Sequence, residues 1–173
     1  MKELLYRHAK ADDVDEMYSL LKEHGPNKWN YLPEGGVIAE LRDVADGKAV
    51  SILAELGDYI VGFAIAYPGF IRFPEYTTPS NSTEIIGYIG DIVVHMEHSG
   101  KGIGTVLVEE VKAALIEHGI SEIYIDCHEE NTASRLMMKK AGFEEVAVYF
   151  DPERRFVGSR RSWVGRFISL LVV

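Results

Sequence analysis

Chemistry in this chain concentrates where Ser99-Gly-Lys-Gly-Ile-Gly-Thr105 joins a β-type run, Ile85 to Val94, to a helical run, Thr105 to His118. Gly100, Gly102 and Gly104 let the backbone approach a ligand closely and take conformations that a Cβ would forbid. A helix that opens here turns its unpaired N–H groups and the positive end of its dipole into the turn. Together these features make an anion cradle suited to a pyrophosphate. Two nucleotide motifs with similar glycines do not fit. An ATPase-type phosphate loop needs Ser or Thr directly after Gly-Lys and an earlier glycine, but Gly102 follows Lys101 and Val94 to Ser99 contains no glycine. A dinucleotide fingerprint needs a third glycine where Leu107 stands, and it belongs early in a parallel domain.

Other reactive side chains are few. Cys127 is the only cysteine, so no internal disulfide can form and a reducing compartment is expected. It shows no evident activating partner and reads as a small buried residue rather than a nucleophile. His128 is the nearby group whose ordinary pKa lies closest to neutrality.

Several elements must position these residues. Leu4 to His8 suits a first strand, and Val14, Met17, Leu20 and Leu21 have the spacing of an amphipathic helix that Gly25-Pro26 ends. Val37 to Val44 suits a short second helix after a mixed loop at 27–36. Ala49 to Glu55 and Tyr59 to Tyr67 flank Gly57-Asp58 as a hairpin. Residues 68–83, with Pro68, Pro74 and Pro79, read as a long loop. Glu84 to His95, Ile120 to Cys127 and Glu144 to Phe150 read as strands, and Asn131 to Ala141 as a helix. A terminal strand with an exposed end is expected after Gly158. The order β-α-α-β-β-β-α-β-α-β-β predicts an α/β fold. Its mixed sheet is antiparallel in the N-terminal half and contains parallel pairing in the C-terminal half, with helices on both faces.

With 173 residues and neither linker nor repeat, residues 1–173 are expected to form a single domain. The formal charge of −9 speaks against general nucleic-acid binding while leaving room for an anion held locally by backbone amides. The N-terminus lacks the apolar stretch of a signal peptide, and Arg166 interrupts a tail too short to span a membrane. A cytoplasmic location without membrane association follows as the expectation. Composition leaves the oligomeric state open, a homodimer included.

Three blocks together resemble the GNAT superfamily of N-acetyltransferases. Gly90-Asp-Ile-Val-Val-His95 is similar to its fourth strand and Ser99-Gly-Lys-Gly-Ile-Gly104 to its acyl-CoA turn. Asn131-x-x-Ser-x-x-Met-Met-x-Lys-x-Gly142-Phe143 is similar to its fourth helix and the turn beyond. The element order agrees over essentially the whole chain. The resemblance implies acetyl-CoA as co-substrate, its pyrophosphate bound by backbone N–H groups of Ser99, Gly100, Lys101, Gly102, Ile103, Gly104 and Thr105. The family prefers Arg or Gln where Ser99 stands, so Lys101 is the local source of positive charge. The resemblance also places the pantetheine arm against the backbone of Ile92, Val93 and Val94, and sets Asn131 to touch it or to cap the following helix, or both.

The implied reaction is attack of an amine on a thioester, without a covalent enzyme intermediate. An alkyl ammonium with a pKa near ~10 is almost wholly protonated at neutral pH, so the free amine costs roughly 4 kcal/mol unless the site helps. The resemblance makes the Val94 N–H the donor for the developing oxyanion. It offers Glu84, Tyr88 and Asp91 as local candidates for the base. Tyr88 and Ile92 share a strand face only if no bulge intervenes. The family's acid is a tyrosine where this chain has Met138, which has no proton to give; Tyr149 substitutes only if the sheet brings it close. The acceptor is expected to be a primary amine of a small molecule or peptide. A protein N-terminus or lysine, a longer acyl group, and a non-catalytic acyl-CoA-binding module are the alternatives. Residues 27–36 and the Pro68–Pro79 segment are expected to border the acceptor.

Overall fold

The fold comes from a computed structural model that describes residues 3–30, 32–71, 85–151 and 164–172. Its strands are β1 (Leu4–His8), β2 (Val50–Leu56), β3 (Tyr59–Ile71), β4 (Ile85–Val94), β5 (Glu122–His128), β6 (Glu144–Asp151) and β7 (Val164–Val172). The helices are α1 (Val14–His24), α2 (Glu34–Ala45), α3 (Ile103–Glu117) and α4 (Thr132–Lys140), with single 3-10 turns before α1 and before α3. One seven-stranded sheet runs in the order β1-β2-β3-β4-β5-β7-β6. Only β4 and β5 pair in parallel; the other neighbours are antiparallel.

Alternation along β2 shows how the sheet is covered. Ile52 and Ala54 belong to one core with Ile103, Leu107, Val111 and Leu115 of α3 and Met138 of α4. Leu53, between them, belongs to a second core with Met17 and Leu21 of α1 and Val37 and Leu41 of α2. Successive strand side chains point to opposite faces, so α3 and α4 cover one face and α1 and α2 the other. Met17, Leu20 and Leu21 supply the buried stripe of α1 and Val37, Leu41 and Val44 that of α2, both at helical spacing. Among the described residues no helix is long and apolar enough to cross a membrane.

Three details differ from the sequence-based expectation. The second helix starts at Glu34, because Pro33 in an extended conformation serves as its N-cap. The terminal strand, whose neighbours the element order left open, is an inserted one: β7 lies between β5 and β6 and pairs with both. The crossover after β5 therefore carries the chain past the slot that β7 fills. Of the segment expected to be a long loop, β3 claims residues up to Ile71, and Glu84 with the rest of 72–84 lies outside the described residues.

Candidate active site

The parallel pairing is short. It joins Gly87, Tyr88 and Ile89 to Ile123, Tyr124 and Ile125 and goes no further, although β4 runs on to Val94 and β5 to His128. Past that point the two strands follow different partners, β3 and β7, and a gap opens in the sheet. Register fixes what β4 offers there. The His95 N–H donates to the Val61 carbonyl at 2.8 Å. Hydrogen-bonding direction alternates along an antiparallel ladder, so Val93, opposite Phe63, also faces β3. Ile92 and Val94 then turn their N–H and C=O groups to the other edge, into the gap. Val93 instead spends its backbone on the ladder and buries its side chain in the α1–α2 core, which separates it from its two neighbours as a contact residue.

A bulge sets the side-chain directions. Ala66 pairs with Ile89 and Ala64 with Ile92, so β4 carries one more residue than β3 across Gly90 and Asp91. Ile89 and Ile92 consequently both pack on the α3 side. Tyr88 therefore lies on the opposite face from Ile92, since the bulge that a shared face excluded is present. Tyr88 joins the face of β5 that carries Asp126, and its hydroxyl lies 3.4 Å from Asp126 Oδ1.

Around the gap runs a cleft of about 760 Å³ that passes from one face of the sheet to the other. Its α3–α4 side is lined by Ser99, Gly100, Gly102, Ile103, Gly104 and Thr105, together with Asn131, Met137 and Met138. Gly102 is the N-cap of α3, with φ 85°, and Gly100 has φ 75°. Both values require glycine, and a Cβ at either would meet nothing within 4 Å. The first-turn amides of Ile103, Gly104 and Thr105 precede the first carbonyl the helix can offer them. Gly104 is a glycine for another reason: its Cβ would come within 2.8 Å of the Met137 sulfur, so it permits the close approach of α3 and α4. Lys101 is exposed and stands off the wall. Asn131 does cap α4, its side-chain oxygen accepting the Ser134 N–H at 3.2 Å.

On the α1–α2 side the walls are Trp29, Asn30, Leu32, Pro33, Gly36 and Val37, then Glu40, Tyr88, Asp91, Asp126 and His128. Residues 27–36 thus border the cleft as the sequence led us to expect. His128 is buried and its Nδ1 accepts the Glu130 N–H at 3.0 Å. Burial, with the charges of Glu40, Asp43 and Asp91 next, pushes the hydroxyl of nearby Tyr67 well above its ordinary pKa. Glu40 and Asp126 carry no sequence motif. Only the pairing of strands and the seating of α2 brings them to Tyr88. Tyr149 sits on β6 opposite Arg166. Two strands separate β6 from β4, which puts about 14 Å between their backbones at ordinary strand spacing.

Comparison with known proteins agrees with this geometry. The model of the Acetyltransferase (GNAT) family matches residues 14–143, from α1 to the turn after α4. This chain belongs to the GNAT acetyltransferase family. Solved structures share its fold from end to end at low identity. A GNAT-family acetyltransferase from Streptococcus pneumoniae is 17% identical with a TM-score of 0.72, covering 99% of this chain and 100% of that one. Ribosomal-protein-alanine N-acetyltransferase from Brucella melitensis is 19% identical at TM-score 0.74, covering 98% and 99%. The yncA protein of Salmonella typhimurium, solved with its cofactor acetyl-CoA, is 16% identical at TM-score 0.70, covering 98% and 93%. For the GNAT chain the match makes a general acetyltransferase activity and acetyl-CoA use the family expectation. The described cleft fits that donor: open space above Gly100 and Gly102 leaves room at the helix N-terminus, and the free edge of β4 offers hydrogen bonds beside it.

Proposed function

We propose that this chain transfers an acetyl group from acetyl-CoA directly to a primary amine of a small molecule or peptide, in the cytoplasm. One observation carries the reading: the unpaired edge of β4 at Ile92 and Val94 opens beside the N-terminus of α3. Backbone amides of Gly102 to Thr105 are suited to the pyrophosphate, and the Ile92 and Val94 edge to the amide groups of the pantetheine arm. Acetyl-CoA supplies the activated acyl group as a thioester. The Val94 N–H is the donor suited to the negative charge that builds on the acyl oxygen during attack. From the other face the amine reaches the gap past Tyr88 and Asp91. Asp91, at the bulge, and Asp126, within reach of the Tyr88 hydroxyl, are the groups placed to take its proton; Tyr88 alone is a poor base.

Met138 favours a second reading. It is 2% exposed in the α3–α4 core, where the family resemblance calls for a tyrosine acid. A chain without that acid could bind acyl-CoA as a regulatory module and leave it intact. Release of CoA thiol, followed with a thiol reagent across a panel of amines, separates the two. Amine-dependent release supports transfer. Acetyl-CoA binding by calorimetry with no release across the panel supports the module.

A further inference from the structure

The segment that leads from β4 into the glycine turn is tied down at each amide from His95 to Ser99. The His95 N–H donates to the Val61 carbonyl, the His98 N–H to the His95 carbonyl at 2.9 Å and the Ser99 N–H to the Met96 carbonyl at 3.2 Å. Imidazoles take the other two. His24, at the end of α1, accepts the Met96 N–H on Nδ1 at 3.5 Å, and His95 accepts the Glu97 N–H on Nδ1 at 3.2 Å. The His24 and His95 rings lie 4.0 Å apart between centroids, and the His98 ring meets the His95 ring edge-on at 5.5 Å. A row of three imidazoles thus runs from α1 to the cleft. It ends on His98, which lines the cleft beside Ser99, Gly100 and Gly102.

His98 differs from the other two in its polar atoms. The Nδ1 atoms of His24 and His95 are spent on backbone amides, whereas neither ring nitrogen of His98 meets a hydrogen-bond partner among the described residues. Its backbone is fixed and its ring is half-buried against His95, so its nitrogens are left to whatever enters the cleft. No other side chain of the turn offers positive charge on this wall: Ser99 is neutral, and Lys101 is exposed and stands off it. Imidazole changes charge close to neutral pH, so what it gives an anion depends on pH. Its titratable neighbours are few. His95 touches it from the end of β4, and behind that the Glu23 carboxylate of α1 lies 3.9 Å from His24 Nε2. Glu97 is exposed on the same 3-10 turn, and α4 brings Lys140 to the cleft. Glu40, Asp91 and Asp126 belong to the opposite wall.

We infer that His98 donates an imidazole N–H to a phosphate of the acyl donor and adds a positive charge there below neutral pH. This rests on the donor site proposed above and holds whichever amine is the acceptor. An imidazolium bonded to a phosphate oxygen makes a charge-assisted hydrogen bond, roughly twice as strong as a neutral one. Neutral imidazole still donates from one nitrogen, so the contact persists above neutrality in a weaker form.

Titration calorimetry of the full chain with acetyl-CoA, at pH 6 and pH 8 and constant ionic strength, tests this on H98A and H98N. The donor's own 3′-phosphate titrates near pH ~6, so the readout is the ratio of wild type to variant at each pH. H98A should bind about tenfold more weakly than wild type at pH 6 and about threefold more weakly at pH 8. H98N keeps an N–H donor that cannot charge; it should stay within about twofold of wild type at pH 8 and fall behind it at pH 6. Acetyl-dephospho-CoA, which lacks the 3′-phosphate, says which phosphate is touched. Unchanged H98A losses assign the contact to the pyrophosphate, and their disappearance assigns it to the 3′-phosphate. Wild-type affinity in H98A at both pH values would overturn the inference. So would a loss of equal size at both, which is what a merely structural role for the ring would give. In either case binding by the wild type would leave the donor site standing, and failure of the wild type to bind acetyl-CoA would overturn both.

Discussion

Gly102 separates what the turn does for folding from what it does for the ligand. At φ 85° it holds a left-handed conformation, and a Cβ there would meet nothing within 4 Å. Substitution therefore brings backbone strain without a clash, about 1–2 kcal/mol for an L-residue. In G102A that strain stands alone. In G102E the carboxylate sits at the N-terminus of α3 and recovers about 0.3–1 kcal/mol from the helix dipole. For a chain of this size each kcal/mol shifts Tm by about 2–4 °C, so the expected order of Tm is wild type, then G102E, then G102A. Acetyl-CoA affinity should follow a different order. A unit charge 4 Å from a phosphate oxygen is worth about 4 kcal/mol at an effective dielectric constant of 20, and a third of that weakens binding about tenfold. G102A should bind a few-fold more weakly than wild type, and G102E at least about tenfold more weakly than G102A. Scanning fluorimetry gives the first order and titration calorimetry the second. Equal acetyl-CoA affinity in the alanine and glutamate variants would refute the assignment of the pyrophosphate to this turn.

Three further outcomes follow from packing and charge. Phe63 is fully buried in the α1–α2 core, so F63A should cost about 3–5 kcal/mol in urea unfolding. At Gly87 an added Cβ would lie 2.9 Å from Ile120 and 3.0 Å from Leu115, so G87A should overpack the sheet against α3 and destabilise by about 1–3 kcal/mol. Arg7 donates to Asp13 at 2.7 and 2.8 Å and holds the Asp13 carboxyl below the usual carboxylate range. That stabilisation is present above the ordinary carboxylate pKa of about 4 and is lost as pH falls through the depressed value. The gap between wild type and D13N, about 1 kcal/mol at neutral pH, should therefore close on acidification; a gap that widens would contradict the ion pair.

How much of this was legible in the sequence follows from how local each cause is. The turn at Gly100 to Gly104, the helix after it and the Asn131 cap depend on neighbours a few residues away, and they stand where the motifs put them. Helix and strand order followed from periodicity in the same way. The insertion of β7 between β5 and β6 depends on pairing at long sequence separation, which a terminal apolar run does not reveal. The bulge at Gly90 and Asp91 exists only relative to β3, yet it decides that Tyr88 and Ile92 face apart. Glu40 reads as one polar position on an amphipathic helix. Its place over Gly90 comes from the packing of α2 against the sheet, and Asp126 reaches Tyr88 only through the parallel register of β4 and β5.

A crystal structure of the chain with acetyl-CoA tests the central claim most directly. The account predicts the pyrophosphate against the amides of Gly102 to Thr105, the pantetheine arm along Ile92 and Val94 in the gap between β4 and β5, and the thioester oxygen facing the Val94 N–H. Acetyl-CoA bound elsewhere, with the edge of β4 untouched, would contradict it.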